Sequence, residues 1–238
     1  MLEVCLEHFI CFTVRTDIKI VVINDFSDPQ YTAEYEQIRK EFPFVRFIDN
    51  PEHSGIAKSK NICLTALCRG AWPCAHVFLF DDDCWPKKSG WMGYYIETAR
   101  AAGVEHLLWM IDGVEDHLHM KAKGDLVNEF TNCMGCVQFF TRHAVDVLQG
   151  FNEEFKIYGY EHAELSRRAI QAGLIGAYTG YIAPASCGDY IYTMDMNHTH
   201  LHEPIPMGHE LTLTESIPFE EKMRYAEMNS KIFNSLQK

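Results

Sequence analysis

Apolar and polar positions alternate along the chain in two rhythms. Leu2, Cys5, Leu6, Phe9, Ile10 and Thr13 fall at helical spacing, which predicts a helix over 2–12. Residues 18–24 are instead a short β-branched run ending in Asn-Asp-Phe-Ser-Asp-Pro, the pattern of a buried strand followed by a capped loop. The alternation continues with a surface helix over 30–41, a strand at 45–48 and a helix over 54–67 entered through Gly55. A buried strand at 75–80, a helix over 91–102 closed by Gly103 and a strand over 106–111 follow. Residues 139–148 begin as strand and turn helical, 161–172 form a helix closed by Gly173, and 219–236 form an amphipathic terminal helix. From 183 to 209 the chain is rich in Gly, Pro, His and Met with little period, and reads as loop.

Strands alternating with helices imply an α/β fold with a mostly parallel sheet covered on both faces. No repeat or linker interrupts the pattern, so the expected organisation is one domain over 1–210 with a terminal helix in 211–238 packed on it.

Composition narrows the class. With 47% hydrophobic and 23% charged residues in 238, collagen-like, low-complexity and wholly disordered classes are excluded. No apolar stretch reaches the ~18 residues of a membrane span. The opening MLEVCLEHFI has no basic segment or small-residue cleavage site, so a cytoplasmic protein without a transmembrane segment is expected. Lys+Arg 21 against Asp+Glu 33 gives a net charge of −12, the wrong field for a protein that lives on phosphate backbones, so nucleic acid is not an expected partner. The nine cysteines are odd in number and scattered, as reduced, buried thiols would be, and Cys133-Met134-Gly135-Cys136 lacks the second pair that structural zinc needs.

The sharpest chemistry lies at 78–86. An apolar strand delivers Asp81, Asp82 and Asp83 at its carboxyl end, where open α/β sheets bind ligands. Two carboxylates ~4 Å apart repel by roughly 4 kcal/mol at a surface-like dielectric, so the run calls for a cation or wide solvent exposure. Hard oxygen donors suit Mg²⁺ or Mn²⁺ holding a diphosphate. The bland alternative is a solvated acidic turn.

These segments, in order, resemble the nucleotide-sugar-dependent glycosyltransferases of the GT-A fold, family 2 above all. Asn24-Asp25-Phe26-Ser27-Asp28 is similar to the family's Asp-Asp-Gly-Ser turn. Residues 50–61 (NPEHSGIAKSKN) resemble its Asn…Gly…Ala-Arg-Asn stretch. Asp81-Asp82-Asp83 with Pro86 and Gly90-Trp91 resembles the DxD metal motif and its tail. Gly150-Phe151-Asn152-Glu153 followed by Tyr158-Gly159-Tyr160-Glu161-His162 resembles the Gly-Phe-Asp-Glu…Trp-Gly-x-Glu-Asp signature.

The resemblance implies a metal-dependent transfer of sugar from a nucleoside diphosphate sugar, UDP favoured over GDP, to a hydroxyl of a carbohydrate or glycoconjugate, with Mn²⁺ or Mg²⁺ as cofactor. It assigns Asp25 to the base, although a turn carboxylate capping the helix near Tyr31 reads equally well. Asp81 and Asp82 fall to the sugar nucleotide, Asp83 and Asp81 to the metal, and Lys58, Lys60 and Asn61 to the ribose and diphosphate. Lys60 stands where the family has Arg, which keeps the charge and loses the bidentate fork. Glu161 becomes the base that deprotonates the acceptor, with His162 in the place of the usual Asp. His198, His200 and His202 alternate in a loop, and one of them, His200 first, would complete the metal shell. Tyr158, Tyr160 and Trp109 are candidates for stacking on the acceptor sugar, with core packing as their ordinary alternative. The family opens with a strand ahead of the helix placed here at 2–12. Either the chain starts beyond that strand, or residues 8–14 supply one in an altered topology. The rival reading is a degenerate GT-A-like domain that binds sugar or protein without catalysis.

Overall fold

The computed structural model describes residues 1–13, 18–69, 73–111, 119–193 and 219–236. In chain order these form α1 (Leu2–Phe12), β1 (Val21–Asn24), α2 (Thr32–Glu41), β2 (Arg46–Asp49), α3 (Ile56–Cys68), β3 (His76–Phe80) and β4 (Cys84–Pro86). There follow α4 (Trp91–Ala102), β5 (His106–Leu108), β6 (Met120–Ala122), β7 (Val127–Phe130), β8 (Val137–Thr141) and α5 (Arg142–Leu148). The last elements are α6 (Glu161–Gln171), β9 (Tyr181–Pro184), β10 (Ile191–Thr193) and α7 (Phe219–Ser235). No helix among the described residues is long and apolar enough to cross a membrane.

The chain groups into two compact units, each assembled from distant segments. The first takes the described residues of 1–17, 76–147 and 166–213. Its central sheet has the order β3-β8-β5, with β8 antiparallel to both neighbours. Phe78, Phe80 and Phe139 alternate to one face, where Trp91 of α4 meets Phe78 and Phe80 edge-on and Tyr95 meets Phe78 likewise, with ring centroids 4.8 Å (Phe78–Trp91) and 5.7 Å (Phe78–Tyr95) apart. Gly103 ends α4 in the left-handed region (φ 66), its N–H donating to the Ala99 and Arg100 carbonyls as a helix-terminating glycine does. α1 packs on β4: Val4 and Cys5 join Trp85 and Tyr192 in one buried cluster, with Trp85 and Tyr192 stacked 4.9 Å apart.

The second unit takes the described residues of 18–75, 148–165 and 214–238. β1 and β2 pair in parallel, Val21 against Arg46 through Asn24 against Asp49. Arg39 of α2 pairs with Asp49 at the end of that ladder. Asp28, not Asp25, caps the turn that leads into α2: its carboxylate accepts from the Gln30 N–H at 2.9 Å.

Three expectations change. The helix–strand alternation predicts mostly parallel pairing, yet β1–β2 is the parallel pair and the other described pairs are antiparallel. β3 and β5 do run the same way; β8, arriving later in the chain, inserts between them in reverse. Residues 183–193 are not all loop, because β9 completes a ladder with β7 and β10 one with β4. Such strands of three or four residues are too short to print a period of two on the sequence. Residues 8–12 belong to α1 and do not supply a strand.

Candidate active site

Two clusters of chemistry-bearing residues result, one in each unit. In the first unit β3 ends at Phe80 and the chain turns sharply through the aspartates. The Asp81 N–H donates to the Cys136 carbonyl at 2.9 Å, and the Asp81 carbonyl accepts from the Cys84 N–H at 3.1 Å. The turn is therefore pinned on one side to Cys136, just ahead of β8, and closed onto β4 on the other. Asp81 and Asp83 are half-buried and Asp82 is exposed. Although Asp82 as a whole is exposed, partial desolvation of its carboxyl and, after it, the Asp81 charge hold that acid above the ordinary carboxylate range. Asp83 accepts a hydrogen bond from the Cys84 thiol at 3.2 Å, and burial pushes that thiol well above its usual range.

The donor set fits a hard divalent cation. Crowded oxygen ligands on a rigid turn are what Mg²⁺ or Mn²⁺ takes when substrate phosphates complete its shell, since such ions use one or two carboxylates and little else from the protein. The described residues alone hold no group of three or more His, Cys, Asp or Glu arranged to ligate a metal. His198, His200 and His202 lie outside the described residues.

In the second unit Asp25 follows β1 and is engaged by its own fold. One carboxylate oxygen accepts from the Asn50 amide at 2.7 Å and the Ser54 N–H at 2.9 Å; the other accepts from the Gly55 N–H at 2.8 Å. Asp25 thereby shapes the approach to α3. Phe26 beside it takes a left-handed backbone (φ 65) and is 57% exposed. Asn61 directs its amide to the loop before α6: it donates to the Phe151 carbonyl at 3.0 Å and to Glu153 at 2.8 Å, and accepts from the Phe151 N–H at 2.7 Å. Lys58 is exposed and Lys60 buried.

Glu161 opens α6 with its side chain 5% exposed, and its Oε1 lies 3.0 Å from Nδ1 of His162, whose side chain is 20% exposed. Burial alone would raise the Glu161 carboxyl. The hydrogen bond and charge of His162, together with the Lys60 ammonium, outweigh it and hold the acid at about 2. Lys60 thus acts as a countercharge to Glu161. A carboxylate beside Nδ1 fixes that nitrogen as the donor, which in a neutral ring puts the lone pair on Nε2. Tyr158 and Tyr160 stand 43% and 37% exposed just ahead of the pair, whereas Trp109 is fully buried core.

Sequence reasoning missed Asn50, which supports Asp25, and Asn229 of α7, whose buried amide grips the turn before Glu161. Asn50 opens the 50–61 stretch that the resemblance places near the ribose and diphosphate, and its bond to Asp25 lies outside that motif. For Asn229 the available signal is a poor helix former inside a helix, which is weak.

This arrangement is that of the GT-A glycosyltransferase fold. GalNAc-T7 in complex with UDP, GalNAc and Mn²⁺ superposes with a TM-score of 0.58 at 15% identity, over 76% of this chain and 39% of that one. A mannosyltransferase from Pyrobaculum calidifontis, PcManGT, in complex with GDP-Man and Mn²⁺, gives 0.57 at 14% identity, over 78% of this chain and 51% of its own. S. aureus TarS gives 0.53 at 17% identity, over 71% and 30%. The chain thus spans about a third to a half of the structures it matches. No curated protein matches it by sequence. The family model for glycosyl transferase family 2 matches residues 2–134, more than half of the 238, and the chain belongs to that family. A second model, the N-terminal domain of galactosyltransferase, matches residues 116–188.

Proposed function

We propose that this chain is a metal-dependent glycosyltransferase that moves a sugar from a nucleoside diphosphate sugar to a hydroxyl, most simply that of a glycan. The observation that carries the reading is the aspartate turn: three consecutive carboxylates on a turn pinned through the Asp81 backbone at the end of β3, in a member of family 2. Asp81 and Asp83 would hold Mn²⁺ or Mg²⁺, which supplies charge neutralisation for a diphosphate leaving group. UDP is favoured over GDP because UDP accompanies the GalNAc-T7 and a TarS structure, whereas GDP-mannose accompanies PcManGT.

Glu161 and His162 form the base as a pair. Imidazole as a group has a proton affinity suited to base catalysis near neutral pH. Glu161 orients the ring through Nδ1, and His162 receives the acceptor's proton at Nε2. Tyr158, with Lys222 over its ring, and Tyr160, beside Phe233, are partly exposed where an acceptor sugar can reach them.

The non-catalytic reading has one observation on its side: Asp25 and Asn61, which the resemblance assigns to the nucleotide, are engaged by the fold itself. A thermal-shift panel of UDP, GDP, CMP and their sugars, with Mn²⁺ or EDTA, separates the two. Ligand at ~100 times its dissociation constant adds about 2.7 kcal/mol, or roughly 5–10 °C. The transferase reading expects a manganese-dependent shift for one nucleotide that Asp83→Ala abolishes, with sugar transfer or hydrolysis lost in His162→Ala. A silent panel would sink it.

A further inference from the structure

We infer that Asn229, on the terminal helix α7, is a positioning residue for the Glu161–His162 pair and acts through the turn at 156–160; the inference rests on the reading of that pair given above. The Asn229 side chain is fully buried. Its amide nitrogen lies 2.9 Å from the Lys156 carbonyl, 2.9 Å from that of Tyr158 and 3.1 Å from that of Gly159. Its oxygen accepts from the Lys156 N–H at 3.3 Å. One side chain therefore answers four backbone groups of a single turn. Asparagine is a poor choice for a helix interior, since its amide competes with the backbone. Its presence within the 17 residues of α7 is explained by what it holds.

The turn needs holding. Ile157 (φ 54), Gly159 (φ 95) and Tyr160 (φ 71) all lie in the left-handed region, and two of them carry a Cβ. Side chains adopt that region at a cost and keep it only where the surroundings impose it. From the opposite side the Ile56 N–H donates to the Ile157 carbonyl at 3.3 Å, and Gly55 leaves no room for a Cβ, which would sit 2.7 Å from the Ile157 nitrogen. The turn is thus gripped between α3 and α7. Tyr160 ends it, and the Tyr160 carbonyl accepts the Glu164 N–H at 2.9 Å in the first turn of α6. The backbone angles that Asn229 enforces set the direction in which Glu161 and His162 leave the helix start. Among charged groups nearby, Lys60 of α3 and His162 act on Glu161, Lys156 is turned to the Glu153 carbonyl, and Lys222 of α7 lies over the Tyr158 ring.

The test follows the Glu161 carboxyl by NMR titration in the full chain labelled at glutamate, in wild type, Asn229→Ala, Asn229→Asp and Lys231→Ala. Lys231 is exposed on the same helix and pairs only locally with Glu227, so its variant controls for helix perturbation. Glu161 should titrate at about 2 in the wild type and in Lys231→Ala, and in or above the ordinary carboxylate range in both Asn229 variants. Transfer, or sugar-nucleotide hydrolysis, should show kcat reduced tenfold or more in those variants, with KM for the sugar nucleotide unchanged within twofold. Asn229→Asp keeps the side-chain volume without the donors and carries the test if Asn229→Ala does not fold. A folded Asn229 variant in which Glu161 still titrates as in the wild type overturns the inference. A displaced Glu161 with unchanged kcat overturns its relevance to catalysis. A wild type inactive with every donor fails the transferase reading instead, and the titration still decides whether Asn229 positions the pair.

Discussion

The unit that carries the aspartates and the unit that carries Glu161 are held together by different physics. The first is an aromatic core: Trp85, Trp109, Tyr95, Phe139 and Phe140 are all at or below 1% exposure. It tolerates loose polar ends, for among the described residues the Gln138 amide, the Trp85 and Trp109 indole N–H groups and the Tyr95 hydroxyl find no hydrogen-bond partner. The second unit is stitched by side chains that bond directly to backbone. Asp25, Asn61 and Asn229 each fix a loop through two or more such bonds. Apolar packing is non-directional and supplies stability, whereas a side-chain-to-backbone bond fixes an angle. The aspartate turn sits on an aromatic core and is fixed by two backbone bonds, whereas the turn before Glu161 is set by a buried side chain.

That contrast can be broken, from its largest expected effect downward. Phe139→Ala removes a fully buried ring that touches His76, Phe78 and Tyr95, and should cost about 3–5 kcal/mol in urea denaturation with an unchanged slope. Glu161 comes next. Its acid lies below its ordinary 4.5, so its ionised form stabilises the fold above that pH, and the stabilisation drains away as pH falls toward about 2. The displacement corresponds to about 3 kcal/mol, and Glu161→Gln should flatten the stability profile between pH 5 and 2, as read by denaturation at each pH. Asp25→Ala strands two backbone N–H groups and the Asn50 amide, for about 2 kcal/mol in the same assay. The smallest effect has the opposite sign: Phe26→Gly relieves a left-handed residue and should add up to about 1 kcal/mol, seen as a higher melting temperature.

Phe26 also shows how far the sequence could be read. The motif it interrupts has glycine at that place, and the left-handed backbone at 26 is the physical reason. Helices were legible because their apolar stripes repeat over three turns or more: α1, α4 and α6 lie where their periods put them, and Gly103 closes α4 as expected. The β6–β7 hairpin and the strands β4, β9 and β10 were not, since three or four residues paired across the chain leave no period to detect. At the site, the chemical identity of the aspartates and of Glu161 was visible, as charge at the end of an apolar strand and at a helix start. The occupation of Asp25 and Asn61 by their own backbone was not. Those bonds span 29 and 90 residues respectively, and local spacing carries no trace of them.

The grip of Asn229 on the turn at 158 closes a loop of 71 residues. During synthesis at about 5–20 residues per second, the chain beyond that turn takes about 4–14 s to reach the residue that sets it. Contacts so distant in sequence form late, because the entropy of closing the loop comes before any gain. The nascent chain can thus complete β3 and expose its aspartates well before Glu161 acquires its final direction. The order of assembly delivers the acidic turn first and the setting of the Glu161 helix start last.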